Sequence, residues 1–191
     1  MARSGLTETV KNGIVGAIRG TGEVVNAVTD TVSNSLVHAI KGTSAVGSAV
    51  TSSATDVARG VIQGASEVGG DLGGAAKGAM VGVLRGTKEV GTVTMDTVSA
   101  SAKSVVKSTA EVGGDIVSAA HNAVEGAIQG ARDVGVDASE AASAAALGAI
   151  TGAGEISRAA VEQVTSAVTG VIEGVKVVVK EPFTKGSGER A

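Results

Sequence analysis

Gly82-Val83-Leu84-Arg85-Gly86-Thr87-Lys88-Glu89-Val90 is one copy of a phrase that recurs through almost the whole chain. It returns as Gly16-Ala-Ile-Arg-Gly-Thr-Gly-Glu-Val24, Gly60-Val-Ile-Gln-Gly-Ala-Ser-Glu-Val68, Gly126-Ala-Ile-Gln-Gly-Ala-Arg-Asp-Val134 and Gly148-Ala-Ile-Thr-Gly-Ala-Gly-Glu-Ile156. Looser copies begin at His38, Ser104 and Gly170, so each copy starts 22 residues after the last. A fixed period of this kind decides the architecture before any single residue does.

Counted from Ile18, Ile40, Ile62, Leu84, Val106, Ile128, Ile150 and Ile172, each unit opens on an aliphatic residue. The third position is Gly except at Ser108, and the sixth is acidic in six units, from Glu23 to Glu155. Within a unit the apolar residues stand three or four apart, as at Ile150, Ala153, Ile156, Val161, Val164, Ala167 and Val168. That spacing is helical and never alternates as a strand would. A weaker period of 11 lies inside the 22, and 11 residues in three turns favours a straight or right-handed supercoil.

The fold class is therefore all-α. The phase passes through all eight units without insertion, and no Pro, Asn or Asp cluster recurs to punctuate it. The expectation is one long, nearly continuous hendecad helix over residues 14–180, roughly 250 Å long at about 1.5 Å per residue. A folded-back hairpin or bundle, or a helical solenoid, is the alternative. Gly69-Gly70-Asp71-Leu72-Gly73-Gly74 marks a kink or corner at 69–74, and Gly113-Gly114-Asp115 a milder one. Residues 1–13 read as a polar lead-in, with Ser4 or Thr7 as a cap. Pro182 ends the helix, and residues 181–191 read as a disordered tail.

Composition narrows the chemistry. The chain has 191 residues with 29 Gly, one Pro, one Phe and no Cys, Trp or Tyr. Small apolar side chains cannot fill a thick core, which leaves close backbone approach as the means of packing. A net charge of −3 from evenly spread residues, with no basic patch, excludes a nucleic-acid partner. Without Cys there is neither a disulfide framework nor a thiolate metal site, in keeping with a cytoplasmic chain. The first residues lack the apolar core of a signal peptide, and no apolar run is long enough to span a bilayer.

On an 11-in-3 wheel, at about 98° per residue, small and apolar positions cover roughly 200°, more than the seam of a two-stranded coiled coil. Each helix must therefore touch more than one neighbour. Glycines inside helices cost about 1 kcal/mol each relative to Ala, of order 20 kcal/mol in all, which only packing can recover. The pairs at i and i+4 supply the contact: Gly16/Gly20, Gly60/Gly64, Gly82/Gly86, Gly126/Gly130, Gly148/Gly152 and Gly170/Gly174. These twelve are the candidate helix-packing interface.

No catalytic, cofactor-binding or metal-binding residue emerges. Arg19/Glu23, Arg85/Glu89 and Lys107/Glu111 read as i, i+4 pairs on a solvated face, with a role in inter-helix register as the alternative. His121 and Glu125 sit one turn apart without the second pair that a metal needs. His38 takes a position that is Gly in most copies, and so marks a packing defect near one end. The Gly-rich stretches lack the Gly-Lys-Ser/Thr of a phosphate loop, and no Ser has a His and an acid placed to activate it. Neither a cofactor nor a small-molecule substrate is expected, and the chain does not read as an enzyme.

Gly86-Thr87-Lys88-Glu89-Val90, in its Val/Thr/Gly/Ala-rich context, resembles the core of the 11-residue repeats of synucleins and of late-embryogenesis-abundant proteins. The resemblance implies a repeat helix that is disordered alone and orders on a membrane or partner. The chain differs from synucleins in its few Lys, its lack of an acidic tail and its additional Gly. The leading expectation is a non-enzymatic structural protein that self-assembles into a homo-oligomer or filament through the Gly/Ala/Val face. The alternative is a peripheral protein whose amphipathic helix lies on a membrane or granule surface.

Overall fold

The computed structural model describes residues 2–21, 23–41 and 47–179, with the surroundings of residues 2–4, 20 and 21 outside that description. Among these residues the chain forms eight helices and a short hairpin. They are α1 (Ala2–Thr21), α2 (Val24–Lys41), α3 (Ser48–Glu67), α4 (Leu72–Glu89), α5 (Met95–Glu111), α6 (Ile116–Val134), α7 (Ala138–Gly154), α8 (Arg158–Val168), β1 (Gly170–Ile172) and β2 (Val175–Val177). Helices thus follow one another at the 22-residue period of the sequence, up to the last unit. The single continuous helix expected over 14–180 is replaced by packed helices, as in the bundle and solenoid alternatives.

The corner recurs at a fixed place. Gly69, Gly91, Gly113 and Gly135 all take φ between 65° and 73°, just past the end of a helix. The residue after each glycine bonds back to the helix: Gly70 N–H to Ala65 O at 2.8 Å, Gly114 N–H to Thr109 O at 2.8 Å, Val136 N–H to Ala131 O at 3.0 Å. This left-handed cap satisfies carbonyls that would otherwise end unpaired. The next helix starts at once. Asp71 accepts from Gly73 N–H, Thr94 from Thr97 N–H, Asp115 from Val117 and Ser118 N–H, Asp137 from Glu140 N–H and Ser157 from Ala160 N–H. A glycine followed two residues on by Asp is therefore the punctuation of this repeat, at Gly69/Asp71, Gly113/Asp115 and Gly135/Asp137.

Successive helices reverse direction and pack on each other, while from α1 to α7 the most extensive packing is between helices two places apart. The result is two layers, α1-α3-α5-α7 and α2-α4-α6-α8, with parallel helices inside each layer. The structural unit is the helix pair, twice the sequence repeat. One continuous core runs between the layers from Val10 and Ile14 through Met80 and Leu84 to Val164 and Val168, built almost wholly of Ala, Val and Ile. Stacked αα units of this kind bury a common core that no single unit could bury alone.

Both ends depart from the expected boundaries. Residues 2–13 of the expected polar lead-in are instead part of α1, where Val10 and Ile14 are fully buried against α3. At the other end the last unit is not helical. Its Val171, Ile172, Val175 and Val177 are β-branched residues that favour a pleated surface, and Ile172 pairs directly with Val175 across a two-residue turn. Glu173 and Gly174 hold φ of 51° and 76° in that turn, the two positive angles of a type I′ hairpin. The tail expected over 181–191, with Pro182, lies outside the described residues.

The corner makes a direct prediction. Gly113→Ala puts a side chain at φ 72° with no neighbouring atom to clash, so the loss is conformational alone, about 1–2 kcal/mol. Asp115→Ala removes the adjacent cap and costs about 1 kcal/mol. Chemical denaturation reads both; an unchanged Gly113→Ala midpoint would contradict the left-handed corner.

Candidate functional site

The residues singled out by sequence are the paired glycines, and most of them lie between parallel helices of one layer. A Cβ built on Gly60 would stand 2.6 Å from the carbonyl oxygen of Thr7, and one on Gly64 2.8 Å from that of Lys11. On Gly82 it would stand 2.6 Å from Val32 Cβ and 2.8 Å from Thr29 O, and on Gly86 3.1 Å from Ser33 O. Gly126 faces the Lys77 carbonyl, Gly130 the Leu84 side chain at 2.9 Å, Gly148 the Ser99 carbonyl and Gly152 the Lys103 carbonyl at 2.9 Å. Real Cβ atoms do not occupy such space. Glycine lets each helix press its backbone on the one two before it.

The remaining four positions behave differently. Gly16 has no atom within 4 Å of a built Cβ. The surroundings of Gly20 lie outside the described residues. Gly170 and Gly174 belong to the hairpin, with φ of 106° and 76°, and so are not part of a helix-packing face. Sequence reading passed over Gly78, which joins Gly82 and Gly86 on α4; its Cβ would meet Val25 O at 2.7 Å. The i, i+4 spacing to Gly82 was the available signal.

The contact of α5 on α3 carries Ser104 and Ser108 where other helices carry the glycine pair. Ser104 Oγ donates to the Thr55 carbonyl at 2.9 Å, using the surface that a glycine would press against. Ser108 Oγ and Arg59 Nε are buried without a partner. This is the polar seam of an otherwise apolar stack.

Charged residues run along the same joints. Lys41 pairs with Glu89 at 3.6 Å, Lys77 with Glu125 at 3.4 Å and Arg85 with Asp133 at 2.6 Å, each joining one helix to the second one along. Lys11 reaches both Glu8 at 3.0 Å and Glu67 at 3.3 Å. Arg85 and Lys107 thus pair with Asp133 and Glu155 rather than one turn along their own helices, the inter-helix alternative noted from sequence. His121 ties α6 to α8: Nδ1 lies 3.0 Å from the Ala167 carbonyl and Nε2 3.4 Å from Glu125. His38 is exposed on α2, two repeats before Gly82, and lines a groove with Leu6 and Thr9 of α1.

Glu155 receives two bases, Lys103 and Lys107, the latter at 2.5 Å. Hydrogen bonds from Lys103 first, then Lys107, hold its carboxyl down at about 2. Among the described residues no group of three or more His, Asp or Glu is arranged to hold a metal ion. Nor is any described helix long and apolar enough to cross a membrane.

Two measurements test this site. Gly126→Ala sets a methyl against the Lys77 backbone and should destabilise by roughly 1–3 kcal/mol. Gly16→Ala meets open space and should stabilise by about 1 kcal/mol through helix propensity; equal effects at both would refute the close contact. For Glu155, a carboxyl held low in the folded state contributes stability above its ordinary value of 4.5 and loses it as pH falls toward 2. Glu155→Gln should therefore melt slightly lower than the parent at pH 7, and the gap should close across that window. A gap independent of pH would remove the ion pairs from the account.

No protein-family model matches the chain, and no curated protein sequence matches it. Among solved structures it is similar to the de novo designed helical repeat protein DHR7, with a TM-score of 0.52 and 19% identity, covering 86% of this chain and 91% of that one. At that identity the likeness speaks for the fold alone: a stack of helical repeats.

Proposed function

We propose that this chain is a non-enzymatic structural repeat protein, a scaffold whose function is its shape and its end surfaces, and that it self-associates. The observation that carries the reading is where the repeating chemistry goes. The glycines, the aliphatic arc and much of the charge are all spent on joining one helix to the next. What the repeat elaborates is a joint. Association with other copies then belongs to the surfaces that the internal joints leave over, at the two ends of the stack. The apolar arc that favoured a membrane surface is occupied by neighbouring helices, which supports the scaffold reading over the peripheral one.

Circular dichroism of the full chain, with and without vesicles of anionic phospholipid, separates the two. The scaffold has its complete helical signal in buffer and a cooperative melt. Helix gained only on vesicles, the behaviour implied by the synuclein resemblance, would overturn it.

A further inference from the structure

We infer that the stack carries a built-in hinge between α3 and α5. The halves α1–α4 and α5–α8 open and close there, while the joint between α4 and α6 stays shut. The inference goes beyond the scaffold reading and makes no use of self-association; it needs only that the stack forms. It starts from what holds each helix to the one two places along.

From α1 to α7 there are five such joints. In four of them a glycine pair seats one helix on the backbone of the other: Gly60 and Gly64 on α1, Gly82 and Gly86 on α2, Gly126 and Gly130 on α4, Gly148 and Gly152 on α5. The same four carry ion pairs: Lys11–Glu67, Lys41–Glu89, Lys77–Glu125 with Arg85–Asp133, and Lys107–Glu155. The joint of α5 on α3 has neither. Ser104 and Ser108 stand in place of the glycines. Among the described residues no ion pair crosses it. Arg59 takes the place in the repeat from which Lys103 meets Glu155, but the matching acid, Glu111, is exposed and unbridged to it.

What crosses instead is hydroxyl chemistry. The Oγ1 atoms of Thr51 and Thr97 lie 3.0 Å apart, and Ser104 Oγ donates to the Thr55 carbonyl at 2.9 Å. Ser108 Oγ and Arg59 Nε are buried without a partner. Parting an apolar joint exposes hydrocarbon to water, which opposes the motion. Parting this one exchanges hydroxyl bonds for equivalent bonds to water, and gives Ser108 and Arg59 the partners they lack when it is closed. The connection points to the same place. Of the successive described helices, α4 and α5 pack least, and the link between them, 90–94, is the longest from α3 onward. The α4–α6 joint, by contrast, has both glycines and two ion pairs. With one layer held and the other free to part, the motion is a bend.

The chain has no Cys, so spin labels can be placed at chosen sites. Residues 63, 107 and 151 occupy one place of the repeat, 44 residues apart, on α3, α5 and α7. In the full chain, Gln63→Cys with Lys107→Cys spans the seam, and Lys107→Cys with Thr151→Cys spans the α5–α7 joint. Double electron–electron resonance should give a broad or two-peaked distance distribution for the first pair and one narrow peak for the second. Ser104→Gly with Ser108→Gly, which restores the glycine pair, should narrow the first to a single peak. Arg59→Met, which removes the unpartnered Nε, should act in the same direction, and it decides the matter if the double glycine variant does not fold. Equal distributions for the two pairs overturn the hinge, as does a broad first distribution that the deciding variant leaves unchanged. Circular dichroism of the labelled chains separates the two readings. A helical chain with two narrow peaks loses the hinge alone, whereas a chain without helix loses the scaffold reading as well.

Discussion

Backbone lies on backbone in this protein, and the rest of the structure follows from that contact. A helix that presents Gly126 and Gly130, or Gly148 and Gly152, brings its own main chain against the carbonyls of the helix two before it. The approach is close enough that Ala and Val suffice to fill what remains, which accounts for a continuous core with almost no large side chains. Glycine weakens each helix by about 1 kcal/mol relative to Ala, and the lost dispersion and burial are recovered only when the neighbour arrives. Helix formation and stacking are therefore one event. Charge supports the order within the stack as well as shape, because Lys41, Lys77, Arg85 and Lys107 each meet an acid on the second helix along.

Much of this is written plainly in the sequence, and one part is hidden for a definite reason. The 22-residue period, the helical spacing, the breadth of the apolar arc and the glycine pairs all identify an all-α stack whose helices need several neighbours. Corners stand out at 69–74 and 113–115, where the chain does turn; what escapes is that a corner recurs at the same place between the other helices too. A four-residue reversal such as 68–71 occupies nearly the length of one helical turn. Apolar residues therefore remain three or four apart across it, and the phase of the repeat passes through undisturbed. Gly91 and Gly135 then look like further members of the small-residue face, although they share the left-handed backbone of Gly69 and Gly113. Their left-handed φ and the Asp two residues on at Gly69, Gly113 and Gly135 distinguish them.

The glycine face was legible as a packing surface, but not its partner. Nothing in a period says whether the neighbouring helix belongs to the same chain or to another. The distance between an ion pair's members does say so, since Lys77 to Glu125 and Arg85 to Asp133 both span slightly more than two repeats. Read along a single helix, Arg85 and Glu89 conceal that longer relation. The hairpin escaped for another reason: Gly170 and Gly174 keep the glycine spacing while the residues around them turn β-branched.

One helix is the unit of the sequence, but two helices are the unit of the architecture, and this mismatch bears on how such a chain changes length. Most helical segments carry both halves of the joint, a glycine stripe on one side and a receiving ridge on the other, with Ser104 and Ser108 in the place of glycine on α5. Duplication of a single segment therefore yields a well-formed stack, with no frame to respect. Parity changes, however. An added helix moves the hairpin and its neighbours from one layer to the other, turning one end surface relative to the opposite one. Growth by pairs preserves the relative orientation of the ends; growth by one inverts it.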